Sequence, residues 1–404
     1  MQTDEIPNSD GEVPYSFEEL FFSRTNEKGH ILSGNKTFQT ISMYSWGELL
    51  NRPHNIIRHR DMPRGVFWLL WDTIKKGKPI AAYVKNRAKD GRYYWVLAIV
   101  TPIEGGYLSV RIKPSSELFP VVKREYQALH ILEKNEPLKP AESANLLLER
   151  LKVLGFRDYC VFMTYALGLE WTARDAQLGR APNTHLNQLK ELTNAAKQIL
   201  TQSETIAGIE VASRYVPINL RVQAIKLGDA AAGIGVISQN YAIISSELKE
   251  LTEHFIADTE KVYKTIHESL FFIGVAEAQT EILSAFKNEG ADDAVSRTQD
   301  LLLLERQETV YRQKALNMLL EIASRVDQFH ELCADMRKSA LGLDVARIMG
   351  KMETARQLAG QGELNAYLDD LENFQASLNS GLKEIQRQSR SILGKVQKLH
   401  TEAA

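Results

Sequence analysis

The sequence predicts an α+β domain over residues 15–117, followed by an all-α region that forms a helical bundle or coiled-coil hairpin. Two contrasts and one periodicity carry this division. All 12 prolines lie at or before Pro217, and all five tryptophans at or before Trp171. Proline removes a backbone donor and clashes with the preceding helical turn, so its absence permits long uninterrupted helices. In that proline-free half, Ile244, Leu248, Leu251, Phe255, Val262, Ile266 and Leu270 recur in steps of three, four or a full heptad along one stripe. Leu302, Leu303, Ala315, Leu316, Leu319, Leu320 and Ile322 begin a second run of this kind.

The elements of the first half follow from local signals. Gly29 to Asn35 reads as a tight turn joining two short strands. Ser45-Trp-Gly-Glu48 is a capping-box pattern, with Ser at the N-cap and Glu three residues later. Asp61-Met-Pro63 leads into Val66-Phe-Trp-Leu-Leu-Trp71, an amphipathic helix entered near proline and ended by Gly77. Ile80 to Lys85, Tyr93 to Pro102 and Gly106 to Lys113 are β-rich runs separated by Lys89-Asp-Gly91 and Glu104-Gly-Gly106. From residue 118 to 200 a helical connector is expected, punctuated by Pro120, Pro137, Pro140 and Pro182. Val121 to Leu132 forms one helix there, and a hairpin of Ala141 to Leu154 and Arg157 to Leu169 is split by Gly155. This segment reads as a spacer and packing element. Beyond it, breaks are expected at Gly290 to Asp293, Leu341 to Leu343 and Leu358 to Gly362.

Composition limits the function classes. A net charge of -2 on 404 residues gives no electrostatic case for nucleic acid or an anionic membrane. Hydrophobic content of 44% and charged content of 25% are ordinary for a globular protein. No run approaches the ~18 apolar residues of a membrane span. The polar, acidic start Met-Gln-Thr-Asp-Glu-Ile-Pro is unlike a signal peptide, so residues 1–14 read as a flexible tail of a cytoplasmic protein. Cys160 and Cys333 stand apart and read as core filler, neither a disulfide pair nor a metal pattern. Phosphate-binding glycine loops, metal triads and nucleophile motifs are lacking, which argues against an enzyme.

The polar constellation with most chemistry is Asn55-Ile-Ile-Arg-His-Arg-Asp-Met-Pro63, joined downstream by Lys85-Asn-Arg87 and Arg92-Tyr-Tyr-Trp95. In order and spacing it resembles the PAS sensory domain of bacterial aerotaxis receptors, from about Phe17 to Lys113. The resemblance implies a five-stranded antiparallel sheet with short helices, and bound FAD. It also implies cofactor-binding roles for Asn35, Arg58, His59, Asp61, Trp71 and Asn86. Arg58 and His59 would face phosphates or ring oxygens, since arginine offers a planar fork of donors; otherwise they are a solvated pair. Asp61 would orient Arg58 or accept from the ligand; otherwise it is an acid at a helix start, favoured by the dipole. The Asn86 amide would bond a ring edge. Asn35 would touch the ligand or tolerate an unusual backbone angle. Trp68 and Trp71 would wall the pocket, although aromatics on a helix face are commonly core. Arg60 stands where the family has proline, which loosens the loop before the helix. Haem is the alternative cofactor, with His54 and His59 as candidate ligands.

A second resemblance starts at Ile206. Residues Ile209 to Ile237, with Asn219, Gly228, Asp229, Gly233 and Val236-Ile237 in place, are similar to the hairpin tip of methyl-accepting chemotaxis proteins. A helical hairpin over residues 201–290 with its tip near 219–236 is implied, ahead of a C-terminal bundle over 291–404. Gln223, Lys226 and Ala232 depart from the family pattern at charged positions that serve tip packing and contacts with the kinase and its coupling protein, and Pro217 sits inside the descending helix. Met349-Gly-Lys-Met-Glu-Thr-Ala-Arg356 is a weaker echo, marking either a second reversal or ordinary charge pairing on a helix. Together the resemblances imply a dimeric redox or aerotaxis sensor. Its partners would be a chemotaxis kinase and coupling protein or membrane chemoreceptors. A cofactor-free PAS and coiled-coil adaptor is the rival.

Overall fold

The computed structural model describes residues 11–181, 184–227, 232–289, 297–356 and 361–403. The expected break at Gly290 to Asp293, Gly228 and Asp229 of the hairpin tip, most of the N-terminal tail and residues 358–360 lie outside these. By contacts the chain divides into two compact units, Met1–Asn187 with His267–Ala315, and Gln188–Ile266 with Leu316–Ala404.

The first unit is built on β1 (Phe21–Asn26), β2 (Ile31–Gly34), β3 (Ile80–Arg87), β4 (Tyr93–Ile103) and β5 (Gly106–Ile112). They form one antiparallel sheet of order β2-β1-β5-β4-β3. The strand runs expected from Ile80 onward are present. The turn expected over Gly29 to Asn35 is shorter than its sequence suggested. Gly29 takes φ +77 and residues 31–34 are already paired as β2. Between β2 and β3 come α1 (Lys36–Ser42), α2 (Trp46–Leu49), a 3-10 turn (His54–Ile57) and α3 (Arg64–Lys75). Glu48 accepts from Ser45 N–H at 2.9 Å, so the carboxylate half of the capping box forms, while the Ser45 hydroxyl donates to that carboxylate at 2.8 Å. Gly77, at φ +74, ends α3 as expected.

The sheet is covered on both faces, which explains why β3 and β4 read as almost continuous apolar runs. Along β3, Val84 and Asn86 point toward the short helices, whereas Tyr83 points to the opposite face. That opposite face receives α4 (Leu118–Asn135) and α6 (Tyr159–Gln177), which flank α5 (Pro140–Val153). Phe119 of α4 stacks on Tyr83 at 5.7 Å and meets Trp95 edge-on at 5.4 Å. In α6, buried Glu170 accepts from Tyr83 Oη at 2.7 Å, Ser116 Oγ at 2.7 Å, Ser116 N at 2.9 Å and Ser115 N at 2.6 Å. The connector is therefore more than a spacer. At the β1–β5 pairing, a Cβ on Gly106 would lie 1.9 Å from the Thr25 carbonyl oxygen. Gly106→Ala is expected to lower stability by about 1–3 kcal/mol through overpacking, read as a lower denaturation midpoint.

Long helices make up the rest: α7 (Thr184–Ser213), α8 (Tyr215–Leu227), α9 (Ala232–Asn288), α10 (Arg297–Arg356) and α11 (Gln361–Ala403). The helix breaks at Arg214 because Pro217 has no N–H to bond the carbonyl four residues earlier. In the second unit the buried positions keep strict three- and four-residue steps. On α9 these are Tyr241, Ser245, Leu248, Thr252, Phe255, Thr259 and Val262; on α10 they are Ile322, Val326, Phe329, Cys333, Met336, Ala340 and Leu343. Phe255 meets Phe329 at 5.4 Å, Ser203 of α7 pairs with Thr259 at 3.2 Å, and Gly381 of α11 packs beside Ile206 of α7. With Gly350 of α10 against Leu368 of α11, these contacts close a four-helix up-and-down bundle. Three details differ from the sequence reading. Leu302 and Leu320 are exposed. No break occurs at Leu341 to Leu343, where Gly342 sits mid-helix against Ile244. Met349 to Arg356 is helical to its end. Among the described residues, no helix is long and apolar enough to cross a membrane.

Candidate functional site

A recess of about 920 Å³, including its mouth, lies between the sheet face and α3. The helix presents Phe67, Leu70, Trp71 and Ile74, spaced three, four and seven residues from the first, to form one wall. The sheet supplies Val84, Ala98 and Val100 as the facing apolar floor, about what a flat ring needs on its two sides. Its polar atoms come from alternate positions of four elements: Ser23 and Thr25 of β1, Asn86 of β3, Ser109 and Arg111 of β5, and His54 and Arg58 around the 3-10 turn.

Arg58 and Asn86 meet because their backbones form an isolated antiparallel bridge. The Arg58 guanidinium lies 3.5 Å from the centroid of the Phe67 ring, and its buried Nε has no hydrogen-bond partner. Partial burial lowers the Arg58 pKa. Asn86 is 3% exposed. Arg111 Nη2 donates to Ser23 Oγ at 2.7 Å and to His54 Nε2 at 2.6 Å. Burial pushes the Arg111 guanidinium down to about 10, so it stays charged at neutral pH. His54 stacks on Phe38 at 5.9 Å, and burial, then Arg111 and Arg58, hold its pKa well below the usual value. Its Nε2 accepts from arginine, which can only donate, so the imidazole is neutral with its proton on Nδ1.

Of the six cofactor-binding residues read from sequence, Arg58, Trp71 and Asn86 come together in the recess. The other three are placed elsewhere. His59 and Asp61 are not among the lining residues: Asp61 pairs with Lys85 at 2.9 Å, and His59 Nδ1 accepts from Asp61 N at 3.2 Å. Burial first, then Lys85, pushes His59 down to about 4. Asn35 has ordinary backbone angles (φ -93) and caps α1, accepting from Phe38 N at 3.2 Å and Phe22 N at 2.8 Å. Its amide donates to the Leu20 carbonyl at 2.7 Å and to Glu289 at 3.0 Å. Trp68 turns outward, 39% exposed. The sequence reading missed Arg111, Ser109 and Ser23. Their only signal was a polar residue at every second position of a strand, which ordinarily marks a solvated face.

The donor set fits a flavin. Arg58 Nε, Arg111 Nη1 and Ser109 Oγ are buried and unpartnered, and all three belong to residues lining this one recess. A ligand bearing carbonyl and phosphate acceptors would satisfy them.

A family model described as the PAS fold matches residues 31–110. Over 123 residues, 29% of this chain and 24% of the relative, the chain is 39% identical to the aerotaxis receptor of Escherichia coli (strain K12). Over 114 residues it is 25% identical to the nitrogen fixation regulatory protein of Klebsiella pneumoniae, covering 28% of this chain and 21% of that one. The chain thus spans under a quarter of the length of these relatives. Among solved structures, the light state of the blue-light photoreceptor Aureochrome1 LOV aligns with 28% of this chain and 91% of its own, at 22% identity and a TM-score of 0.22. The LOV domain of the Erythrobacter litoralis EL346 blue-light activated histidine kinase aligns with 23% of this chain and 90% of its own, at 15% identity and a TM-score of 0.21. The N-terminal domain of this chain is a PAS domain, and over that domain the chain is similar to the aerotaxis receptor.

Proposed function

We propose that this chain is a non-enzymatic signalling sensor whose PAS domain holds FAD in the recess between sheet and α3. The observation that carries the reading is the convergence of three unpartnered buried polar atoms on one apolar-walled space. Similarity to the aerotaxis receptor supports it. When bound, the flavin supplies a ring whose charge and hydrogen bonding change with its redox state. The protein's residues do the rest. Phe67, Leu70, Trp71 and Ile74 exclude water from one ring face, and the Asn86 amide offers a donor and an acceptor to its edge. Arg58, half-buried where Arg111 is fully buried, would take the phosphates, with the exposed Lys28 and Asn55 in the same lining.

The output follows from the strand alternation. Asn86 faces the recess and Tyr83, three residues back on β3, faces Glu170 of α6. A changed bond at Asn86 would bias how β3 seats on α6, a packing difference that helices can carry onward. In the second unit, Val211, Tyr215, Ile218, Val222 and Ile225 expose an apolar stripe in steps of four and three, with Ile225 at 74%. Leu341, Val345, Ile348 and Met352 do likewise on α10. Such seams suit a second copy of this chain or the helical tip of a chemotaxis signalling partner (kinase, coupling protein or membrane chemoreceptor). Haem is disfavoured because His54 Nε2 is already engaged by Arg111, and His59 lies outside the recess.

Flavin content at purification tests the assignment. Arg58→Ala and Asn86→Ala are expected to lose most bound flavin, His59→Ala to retain it, and all three to keep wild-type helical circular dichroism. Equal flavin content in the wild type, Arg58→Ala and Asn86→Ala would remove the recess as the site.

A further inference from the structure

Arg111 is a buried cation without a counter-ion. It is 3% exposed, and among the described residues no carboxylate bonds to it. Taking a charge out of water costs several kcal/mol per ion unless something pairs with it. Its two contacts on Nη2, Ser23 Oγ and His54 Nε2, are neutral acceptors, and Nη1 is left buried and unpartnered. Ser109 Oγ, two residues earlier on the same strand face, is also buried and unpartnered. Two donors thus project from one face of β5 on buried residues, 3% exposed for Arg111 and 8% for Ser109, whereas Lys28, Pro53 and Asn55 of the same lining are exposed and mark its mouth.

We infer that Arg111 is the ligand-binding charge at the inner end of the recess, holding the carbonyl-bearing edge of the ring through Nη1, and that His54 and Ser23 are its positioning residues. This rests on the flavin reading and adds which part of the ligand the second guanidinium takes. The isoalloxazine ring carries two carbonyl oxygens and ring nitrogens along one edge, so it offers the acceptors that Nη1 and Ser109 Oγ lack. Adenine has no carbonyl. The phosphates, on a flexible tail, fall to Arg58 at the mouth. His54 acts through its lone pair: the guanidinium has five donors and no acceptor, so a neutral imidazole fixes its rotation and turns Nη1 to the ligand. Stacking on Phe38 holds the imidazole in turn.

The test uses the full-length protein stripped of ligand and titrated with riboflavin, FMN and FAD by quenching of flavin fluorescence, alongside thermal melting of the ligand-free form. Arg111→Met should weaken all three ligands by a similar factor of about ten or more, because the ring is common to them. Ligand-free Arg111→Met should melt at the wild-type temperature or above, since an unpaired buried charge has gone. Ser109→Ala, which removes one unpartnered hydroxyl, should weaken all three several-fold. His54→Gln, whose Oε1 can accept from Arg111, should stay within a few-fold of wild type, whereas His54→Leu should fall with Arg111→Met. Loss of FAD and FMN affinity with riboflavin unaffected in Arg111→Met would put Arg111 on the phosphates and overturn the inference. So would unchanged affinity for all three, or weakened binding together with a lower melting temperature of the ligand-free form. A wild-type protein that binds none of the three would overturn the flavin reading itself, and this inference with it.

Discussion

Replacing Glu170 by alanine is expected to destabilise the first unit by about 3–5 kcal/mol, the cost of leaving one side of a buried charged network without its partner. Four donors converge on that α6 carboxylate from two places: the Tyr83 hydroxyl on β3, and the Ser115 N–H, Ser116 N–H and Ser116 hydroxyl on the segment leaving β5. Without it the Tyr83 hydroxyl, the Ser116 hydroxyl and two backbone N–H groups lose their shared acceptor, all but the half-buried Ser115 N–H in buried surroundings. For a unit of this size that corresponds to a melting temperature lower by roughly 10 °C, measured by near-ultraviolet circular dichroism. Glu170→Gln keeps the shape but turns an amide NH2 toward donors, so an intermediate loss is expected. If Glu170→Ala melted with the wild type, the tie between sheet and connector would carry no weight, and the relay through Tyr83 with it.

Acid should weaken the first unit well before its carboxylates titrate. His54 and His59 are both held neutral in the fold, His54 with its pKa well below 6.5 and His59 at about 4, burial being the first cause in each. In the unfolded chain both titrate near 6.5. Below that pH the unfolded state binds more protons than the folded one, so stability is complete above about pH 6.5 and falls as pH drops. Each histidine kept neutral contributes a slope of up to about 1.4 kcal/mol per pH unit in that window. His59 is partly solvated and will contribute less. Urea midpoints at intervals from pH 7.5 down to 5 check this, and His54→Gln should remove the larger part of the slope. A midpoint flat across that range would mean that His54 is charged in the fold, against its acceptance of a hydrogen bond from Arg111.

Where the sequence could be read, one-dimensional signals happened to coincide with three-dimensional causes. The division into halves was legible because proline and long helices are incompatible, and the α3 helix because Pro63 and Gly77 mark its ends. Arg58 and Asn86 were legible as lining residues through a motif whose spacing reflects a backbone bridge between them, and Trp71 as an aromatic on one face of α3. His59 and Asp61 share that motif but not the recess: the chain turns at Arg60 and Asp61, with Met62 N–H donating to the His59 carbonyl, and Asp61 pairs with Lys85. Adjacency in sequence brought them into the reading, whereas His54 is the histidine that lines the recess. Arg111 and Ser109 were hidden for a different reason. Leu108-Ser-Val-Arg-Ile112 looks like any strand with one wet face, and only the packing of α3 over that face makes its polar residues inner ones. Gly342 misled in the opposite sense. A glycine mid-helix reads as a break, but here it admits Ile244 to close approach between two bundle helices.

The central claim, that the recess of the PAS domain holds a flavin, is tested most directly by the visible absorption spectrum of the full-length protein as purified, before and after dithionite. The account predicts the two-banded absorption of an oxidised flavin, bleached on reduction and diminished in Arg58→Ala and Asn86→Ala. A single sharp haem-type band, or a colourless protein that takes up no added FAD, would contradict it.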